Sequence, residues 1–341
     1  MMSRKTKLRL LFWCLLSALC FASFVYCLVL PGRSWSGGLP PAEAGLAHSL
    51  RAKVEFMTRE IGERNHYTYE AQKSGRPAQL EMAANWIEGE LKDCDCSVIR
   101  DAYEISPQEP KFCNVVATRA GSASPSEIVV IGAHYDSIPG TPGADDNASG
   151  VAILLELARL YQGGARTVRF VAFTNEEPHY FQTEQMGSLV YARACRQAND
   201  NIVAMLSLET LGYYRTEPGT QKYPFPLGLL YPDTGDFVGF VSNLPSRSLN
   251  HRVISTFRRT TRFPSQGACL PELIPGVSWS DHWSFGQVGY PSVMVTDTAP
   301  FRNPNYHQAT DTSDTLDYER MARVTLGLKS VLEDLAGPSP N

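Results

Sequence analysis

Residues 127–161, EIVVIGAHYDSIPGTPGADDNASGVAILLELARLY, pass through three kinds of sequence in succession. EIVVIGA is a short apolar run rich in β-branched residues, which reads as a buried strand. GAHYDSIPGTPGADDNASG then places His134, Asp136, Asp145 and Asp146 among Gly, Pro and small residues. A loop of that composition has no core to build, so its polar groups face water or a shared ligand. From Val151 onward, Val151, Leu154, Leu155 and Ala158 fall at i, i+3, i+4 and i+7, one apolar stripe of a helix.

The same grammar recurs. TVRFVAF, IVAMLSL and YPSVMV are further apolar, β-rich runs, each followed by a loop. Helical periodicity covers 46–63, 80–92 and 318–335. Near-continuous apolar strands alternating with helices predict a three-layer α/β sandwich around a mixed, mostly parallel sheet. In such sheets ligands bind beyond the carboxyl ends of the strands. His134 follows the first run, Glu176 and Glu177 follow TVRFVAFTN, Glu209 follows IVAMLSL, and His307 ends the loop after YPSVMV. Four strands are thus expected to deliver acids or imidazoles to one edge.

The chain has 341 residues, 43% of them hydrophobic and 10% aromatic, enough for a sizeable core. Its net charge of -4 offers no basic field, so nucleic acid is not an expected partner. Arg4, Lys5, Lys7 and Arg9 precede an uncharged run over residues 10–32. About 20 apolar residues suffice to span a bilayer, and the A-x-A of Ala42-Glu43-Ala44 lies well past the run, unlike a signal-peptide cleavage site. The run reads as an uncleaved single-pass anchor. Residues 1–9 then form a cytoplasmic tail, and the rest lies outside the cytoplasm. RSWSGGLPPAEAG, residues 33–45, reads as a linker, 46–336 as the domain, and 337–341 as a disordered tail. Cys94, Cys96, Cys113, Cys195 and Cys269 lie beyond the run without C-x-x-C spacing, which disfavours a cysteine zinc site. In an oxidising compartment a pairing of Cys113 with Cys94 or Cys96 is one of the arrangements open to these thiols.

Each site candidate also has a plain explanation. Asp145, Asp146 or Asn147 suits the cap of the helix that follows. Glu176 and Glu177 suit a solvated surface, and a lone histidine is usually a hydrogen-bonded structural residue. Taken together, His, Asp, Glu, Glu and His at successive strand ends make a mixed N/O set suited to zinc or a related divalent ion. Asp136, two residues after His134, is placed to accept the imidazole N–H and orient the ring.

In order, the motifs AHYDS, GADDNASG, NEE, the Glu of SLET, SDHWSF and YHQATDT resemble those of the zinc-dependent aminopeptidase family. That family includes glutamate carboxypeptidase and is related to glutaminyl cyclases. The resemblance covers about residues 46–336 and implies a phosphorylase/hydrolase-like fold with two zinc ions. It implies that His134 and Glu209 hold one ion, Glu177 and His307 the other, and that Asp146 bridges them. Glu176 would be the general base, with Asp136 behind His134 in a catalytic supporting role. Two positions depart from the pattern. Glu209 stands where Asp is frequent, and no Tyr precedes SDH in QGACLPELIPGVSWSDH, so Tyr306 is the substitute oxyanion donor. Asp281 and His282 are expected on the substrate side or behind the ligands.

The activity so implied is removal of N-terminal residues from peptides that carry a free α-amine. The Tyr- and Pro-rich stretch 213–240 reads either as loops around the side-chain pocket or as surface packing. The alternatives are a one-zinc glutaminyl cyclase and a non-catalytic binding ectodomain. The complete set of ligands and the base disfavours both.

Overall fold

The computed structural model describes residues 4–32, 44–65, 78–105 and 111–338. Its strands are β1 (Val29–Leu30), β2 (Ser97–Tyr103), β3 (Phe112–Arg119), β4 (Ser124–His134), β5 (Arg166–Phe173), β6 (Asn201–Glu209), β7 (Val238–Ser242), β8 (Ser265–Cys269) and β9 (Ser292–Thr296). They form one sheet in the order β1-β8-β7-β9-β6-β4-β5-β3-β2. The four apolar runs supply β4, β5, β6 and β9, which lie side by side and parallel as β5-β4-β6-β9. β7 and β8 are parallel to each other but opposed to β9, and β1, β2 and β3 add antiparallel edges. The sheet is mixed, as expected. Its parallel character is concentrated in the strands whose carboxyl ends share one edge.

The helices are α1 (Arg4–Leu28), α2 (Ala44–Glu55), α3 (Gln79–Lys92), α4 (Gly150–Leu160), α5 (Gly187–Gln197), α6 (Arg247–Thr260), α7 (His282–Gln287), α8 (Ala299–Arg302) and α9 (Tyr318–Ala336). Side chains alternate across a strand, and β4 divides accordingly. Val129, Ile131 and Ala133 join the core under α2, α3, α4, α6 and α9, whereas Ile128 and Val130 join the one under α5 and α7. Helix α4 buries more than the expected stripe, because every residue over 150–158 is buried. Even Glu156 lies inside, accepting from Ser49 and Arg159 with Lys53 Nζ 3.3 Å away.

Two readings of the sequence differ from the structure. Cys113 does not pair with Cys94 or Cys96; all three thiols are free. The register explains this: Ser97 faces Thr118 and Ala102 faces Cys113. Cys96 and Cys113 therefore sit toward opposite ends of the ladder, roughly 20 Å apart at about 3.3 Å per residue. The second difference concerns where the domain begins. Val29 and Leu30 pair with Ala268 and Gly267 on the outer edge of β8, and Gly32 N–H donates to Gln266 Oε1 at 2.6 Å. The sheet thus starts within the uncharged run, not at residue 46. Residues 33–43 of the expected linker and 339–341 of the tail lie outside the described residues. Several side chains of α1 also lie outside them, and over the described residues no helix is long and apolar enough to cross a membrane.

Val29 is 5% exposed against β8. Deleting residues 1–24 should leave the melting temperature of the domain unchanged. Deleting residues 1–43 should lower stability by about 1.5–3 kcal/mol, the usual value of one buried Val side chain. Equal melting temperatures for the two truncations would show that the β1 edge contributes nothing.

Candidate metal centre

Residue 134 ends β4 with its imidazole fully buried. The chain then passes beneath the end of β5: Tyr135 N–H donates to Phe173 O at 2.8 Å. Asp136 arrives under the turn that follows β5, where its two carboxylate oxygens accept the backbone N–H groups of Glu176 (3.2 Å) and Glu177 (3.0 Å). Its Oδ1 lies 3.5 Å from His134 Nδ1, at the outer limit of a hydrogen bond. Asp136 therefore fixes the two glutamates more firmly than it fixes the imidazole.

Residues turning out of the strands adopt left-handed backbone next to the site: Asn175 (φ 56°), Thr210 (φ 46°), Thr298 (φ 71°) and His307 itself (φ 58°). Such conformations cost energy in non-glycine residues and cluster where function constrains the backbone.

The loop between β4 and α4 is held from below. Arg64, fully buried, donates from Nε to Tyr135 O (2.8 Å), from Nη1 to Pro142 O (2.7 Å) and from Nη2 to Gly143 O (2.9 Å). Asp311 accepts the backbone N–H groups of Asp145 (2.9 Å) and Asp146 (3.2 Å). Gly143 has φ 60°, and a Cβ there would lie 2.4 Å from Asp146 O, so no side chain fits. The three cap candidates divide the work. Asn147 Oδ1 accepts from Gly150 N–H at 3.1 Å, opening α4, while its Nδ2 donates to Leu208 O. Asn147-Ala148-Ser149 also matches the N-glycosylation acceptor pattern, but the Asn147 amide is buried in the folded domain. Asp145 turns inward, accepting from Gly212 N–H (2.8 Å) and Asn303 Nδ2 (2.7 Å). Asp146 is left facing the imidazoles.

Two triads result. His134 Nε2 lies 3.2 Å from Asp146 Oδ1 and 3.3 Å from Glu209 Oε2. His307 Nε2 lies 3.1 Å from Asp146 Oδ2 and 3.3 Å from Glu177 Oε2. Asp146 belongs to both, one oxygen facing each imidazole. Glu176 belongs to neither, with its Oε2 3.9 Å from His134 Nε2.

These residues fit metal ions. Ligands about 2.0–2.1 Å from a tetrahedral zinc lie about 3.3 Å from one another, close to the separations here. His134 Nε2, His307 Nε2 and Glu177 Oε1 are buried without a hydrogen-bond partner, a condition rare for buried polar atoms unless something else satisfies them. The donors are nitrogen and oxygen, as zinc accepts.

Electrostatics point the same way. Burial pushes the Glu176 carboxyl well above its ordinary range, and nearby Glu209 and Glu177 add to it against the opposing His134. Burial and Asp146 bring Glu177 up to about 7. Burial opposes protonation of His134, but Glu176 and Glu209 outweigh it and raise the imidazole well above its usual value. Asp146 is depressed despite burial, because both imidazoles contact it. The site is a buried cage in which, among the described residues, carboxylates outnumber the two imidazoles and the Arg64 guanidinium that face them.

Around this core, Ser280 Oγ donates to Glu209 Oε2 at 2.8 Å and contacts Ser207 Oγ at 2.7 Å. Asp281 is fully buried, and burial lifts its carboxyl to about 7. His282 Nε2 contacts Val277 O at 2.8 Å, away from the triads. Tyr306 stacks on His307 with ring centroids 3.8 Å apart. Arg64, Asp311 and Ser280 received no role from sequence. Asp311 lies inside YHQATDT, but its partners are backbone groups that only the fold reveals.

Glu209 and Tyr306 also border an apolar cavity of about 790 Å³, part of it open to solvent. Its floor is the face of β7, β8 and β9 carrying Val241, Ala268 and Met294, and its far wall is the 221–231 loop. Phe240, of opposite parity, packs instead on Phe257 of α6. A buried carboxylate-imidazole cage beside an apolar cleft suits hydrolysis assisted by metal ions.

Comparison with known proteins places that chemistry in a family. The model of peptidase family M28 matches residues 114–331. The uncharacterized protein YfbL of Escherichia coli (strain K12) is 40% identical over 313 residues, 88% of this chain and 92% of that protein. A probable leucine aminopeptidase of Arthroderma otae is 28% identical, over 85% of this chain and 72% of its own length. Among solved structures, a zinc aminopeptidase from Bacillus subtilis superposes with a TM-score of 0.67 at 13% identity, covering 88% of this chain and 97% of that one. A glutaminyl cyclase from Porphyromonas gingivalis does so with a TM-score of 0.61 at 18% identity, covering 84% and 98%. At such identities the structures speak for the fold. The chain belongs to peptidase family M28 and is a zinc metallopeptidase.

Metal removal should reveal the cage through pH. Without metal, burial holds the Glu177 proton up to about 7 instead of 4.5. His307 rises to about 10, burial being outweighed by its contacts with Asp146 and Glu177. Both groups bind protons more tightly when folded, so their stabilisation is present at low pH. That from Glu177 is complete below about 4.5 and lost as pH rises through about 7. That from His307 is lost as pH rises through about 10. Metal competes with those protons, so the melting temperature gained on adding zinc to the chelated protein should widen as pH rises. A gap that narrows would contradict this.

Proposed function

We propose that the chain is a two-zinc aminopeptidase that removes N-terminal residues with large apolar side chains from peptides. The observation that carries this reading is the shared carboxylate of Asp146, with an imidazole at 3.2 Å on one oxygen and another at 3.1 Å on the other. His134 and Glu209 would hold one ion, Glu177 and His307 the second, with Asp146 common to both. Zinc bound there would polarise a carbonyl and lower the pKa of a water toward neutrality.

The chain's own groups supply the rest. Glu176 stands outside both triads, so its carboxylate is free to take the proton from the attacking water and return it to the departing amine. Its raised pKa suits it to hold that proton between the two events. A free α-amine would sit against the metal centre and the carboxylates beside it, which favours a free N-terminus over a blocked one. Tyr223, Leu227, Tyr231, Phe237, Met294 and Phe301 line the cleft beside Glu209 and would receive an apolar side chain. Tyr306, stacked on His307, would donate to the carbonyl oxygen as it develops charge. The second triad favours this reading over a one-metal glutaminyl cyclase.

The proposal extends to location: a single-pass membrane protein, N-terminus cytoplasmic, with the catalytic domain outside the cytoplasm. Support comes from the four cations before the uncharged run and from the exposure along α1 of Leu10, Leu11, Phe12, Trp13, Leu15 and Leu19. Contiguous exposed apolar surface of this kind marks a membrane or partner contact.

Glu176 and Glu177 separate the roles. Glu176→Gln should lower kcat on an aminoacyl anilide about 10²–10⁴-fold while zinc content and inhibitor binding stay intact. Glu177→Gln should lose zinc and regain part of its activity at high zinc. The opposite pattern would reverse the two assignments, and full activity in both variants would refute the mechanism.

A further inference from the structure

The 223–231 segment, YPFPLGLLY, is nine residues without a charge. Two of its side chains are almost fully exposed, Phe225 at 90% and Leu229 at 79%, with Leu230 partly so. The segment is not loose. Tyr223 and Tyr231 stack with centroids 5.6 Å apart, Tyr223 Oη donates to Pro232 O at 2.6 Å, and Tyr231 Oη donates to Gly267 O at 2.6 Å. A loop pinned this way presents its apolar side chains outward by construction.

Its inner side joins the small cluster on which the end of the N-terminal helix packs. Val29, Tyr231 and Ala268 form a small buried cluster, against which Val25 of α1, Tyr223, Leu227 and Leu270 pack. Val25 lies in the last turn of α1, and Leu28 passes directly into β1 with no intervening residue. Helix α1 has 25 residues, about 37 Å at 1.5 Å per residue, against a hydrocarbon core of about 30 Å. A helix of that length in a bilayer would bring its final turn to the interface. The cluster on which Val25 packs, Tyr231 included, is then close to the interface too.

We infer that the 223–231 loop is a second membrane contact, with Phe225, Leu229 and Leu230 inserted at the boundary between headgroups and acyl chains. This rests on the anchor reading of α1. The occupant is lipid because the exposed patch is continuous with the cluster that receives the end of the helix, and shallow apolar side chains of this type bury into that boundary. One consequence concerns substrate. Tyr223, Leu227 and Tyr231 also wall the apolar cleft, so the cleft is held beside the bilayer and meets peptides already partitioned to its surface.

The test uses the full chain reconstituted in phosphatidylcholine vesicles containing lipid spin-labelled high on the acyl chain. Bimane is attached at Leu229→Cys or, as a control, at Ser126→Cys. Ser126 is exposed near the amino end of β4, at the edge opposite the cage. Emission from the unsubstituted chain, which carries its own cysteines, is subtracted. Alkaline carbonate extraction is run in parallel. The expected result is a chain that stays in the membrane pellet, with loss of emission at position 229 and none at 126. A chain that stays in the pellet with position 229 unquenched would overturn the loop contact and leave the anchor standing; a second copy or another protein covering the patch would give this result. Release of the chain by carbonate would overturn the anchor, and the loop contact with it.

Discussion

Everything around the cage follows from an imbalance of charge. Asp136, Asp146, Glu176, Glu177, Glu209 and Asp281 are all buried, and among the described residues the imidazoles within 4 Å of these carboxylates are His134 and His307. Burying carboxylates without compensation is costly. The protein raises the proton affinity of Glu176, Glu177, Asp281 and both histidines instead. Two divalent ions would replace those protons, with Asp146 as the common partner. The supporting structure serves that one carboxylate: Asp311 grips its backbone N–H, Arg64 grips the carbonyls before it, and Asn147 takes over the helix cap.

The sheet explains why the cage and the cleft adjoin. The parallel strands β5-β4-β6-β9 end together, so their loops converge. Beyond β9 the sheet reverses direction at β7 and β8. There one face packs on α6, as Phe240 does on Phe257, while the other is roofed by loops and forms the cleft. Glu209, at the end of β6, borders both.

Much of this was legible in the sequence because each candidate ligand follows an apolar run that can be nothing but a buried strand. Strand ends are short-range information, and His134, Glu176, Glu177 and Glu209 lie within four residues of theirs. His307 sits farther from β9, yet still before α9. What escaped depends on distant pairing. Arg64 and Asp311 bind backbone groups 71 or more residues away, which leave no trace in local composition. The split among Asp145, Asp146 and Asn147 needs Gly212, Asn303 and Leu208 in place. Val29 and Leu30 were hidden at the end of a longer apolar run, and the free cysteines follow from the register of β2 on β3.

The most direct measurement is zinc bound per chain at saturation, by elemental analysis and calorimetry, for the unsubstituted protein and for Asp146→Asn. The expected result is close to two ions for the former and loss of both high-affinity sites in the latter, since one carboxylate serves both triads. Saturation at a single ion, or an Asp146→Asn protein that still holds two, would contradict the shared-carboxylate centre.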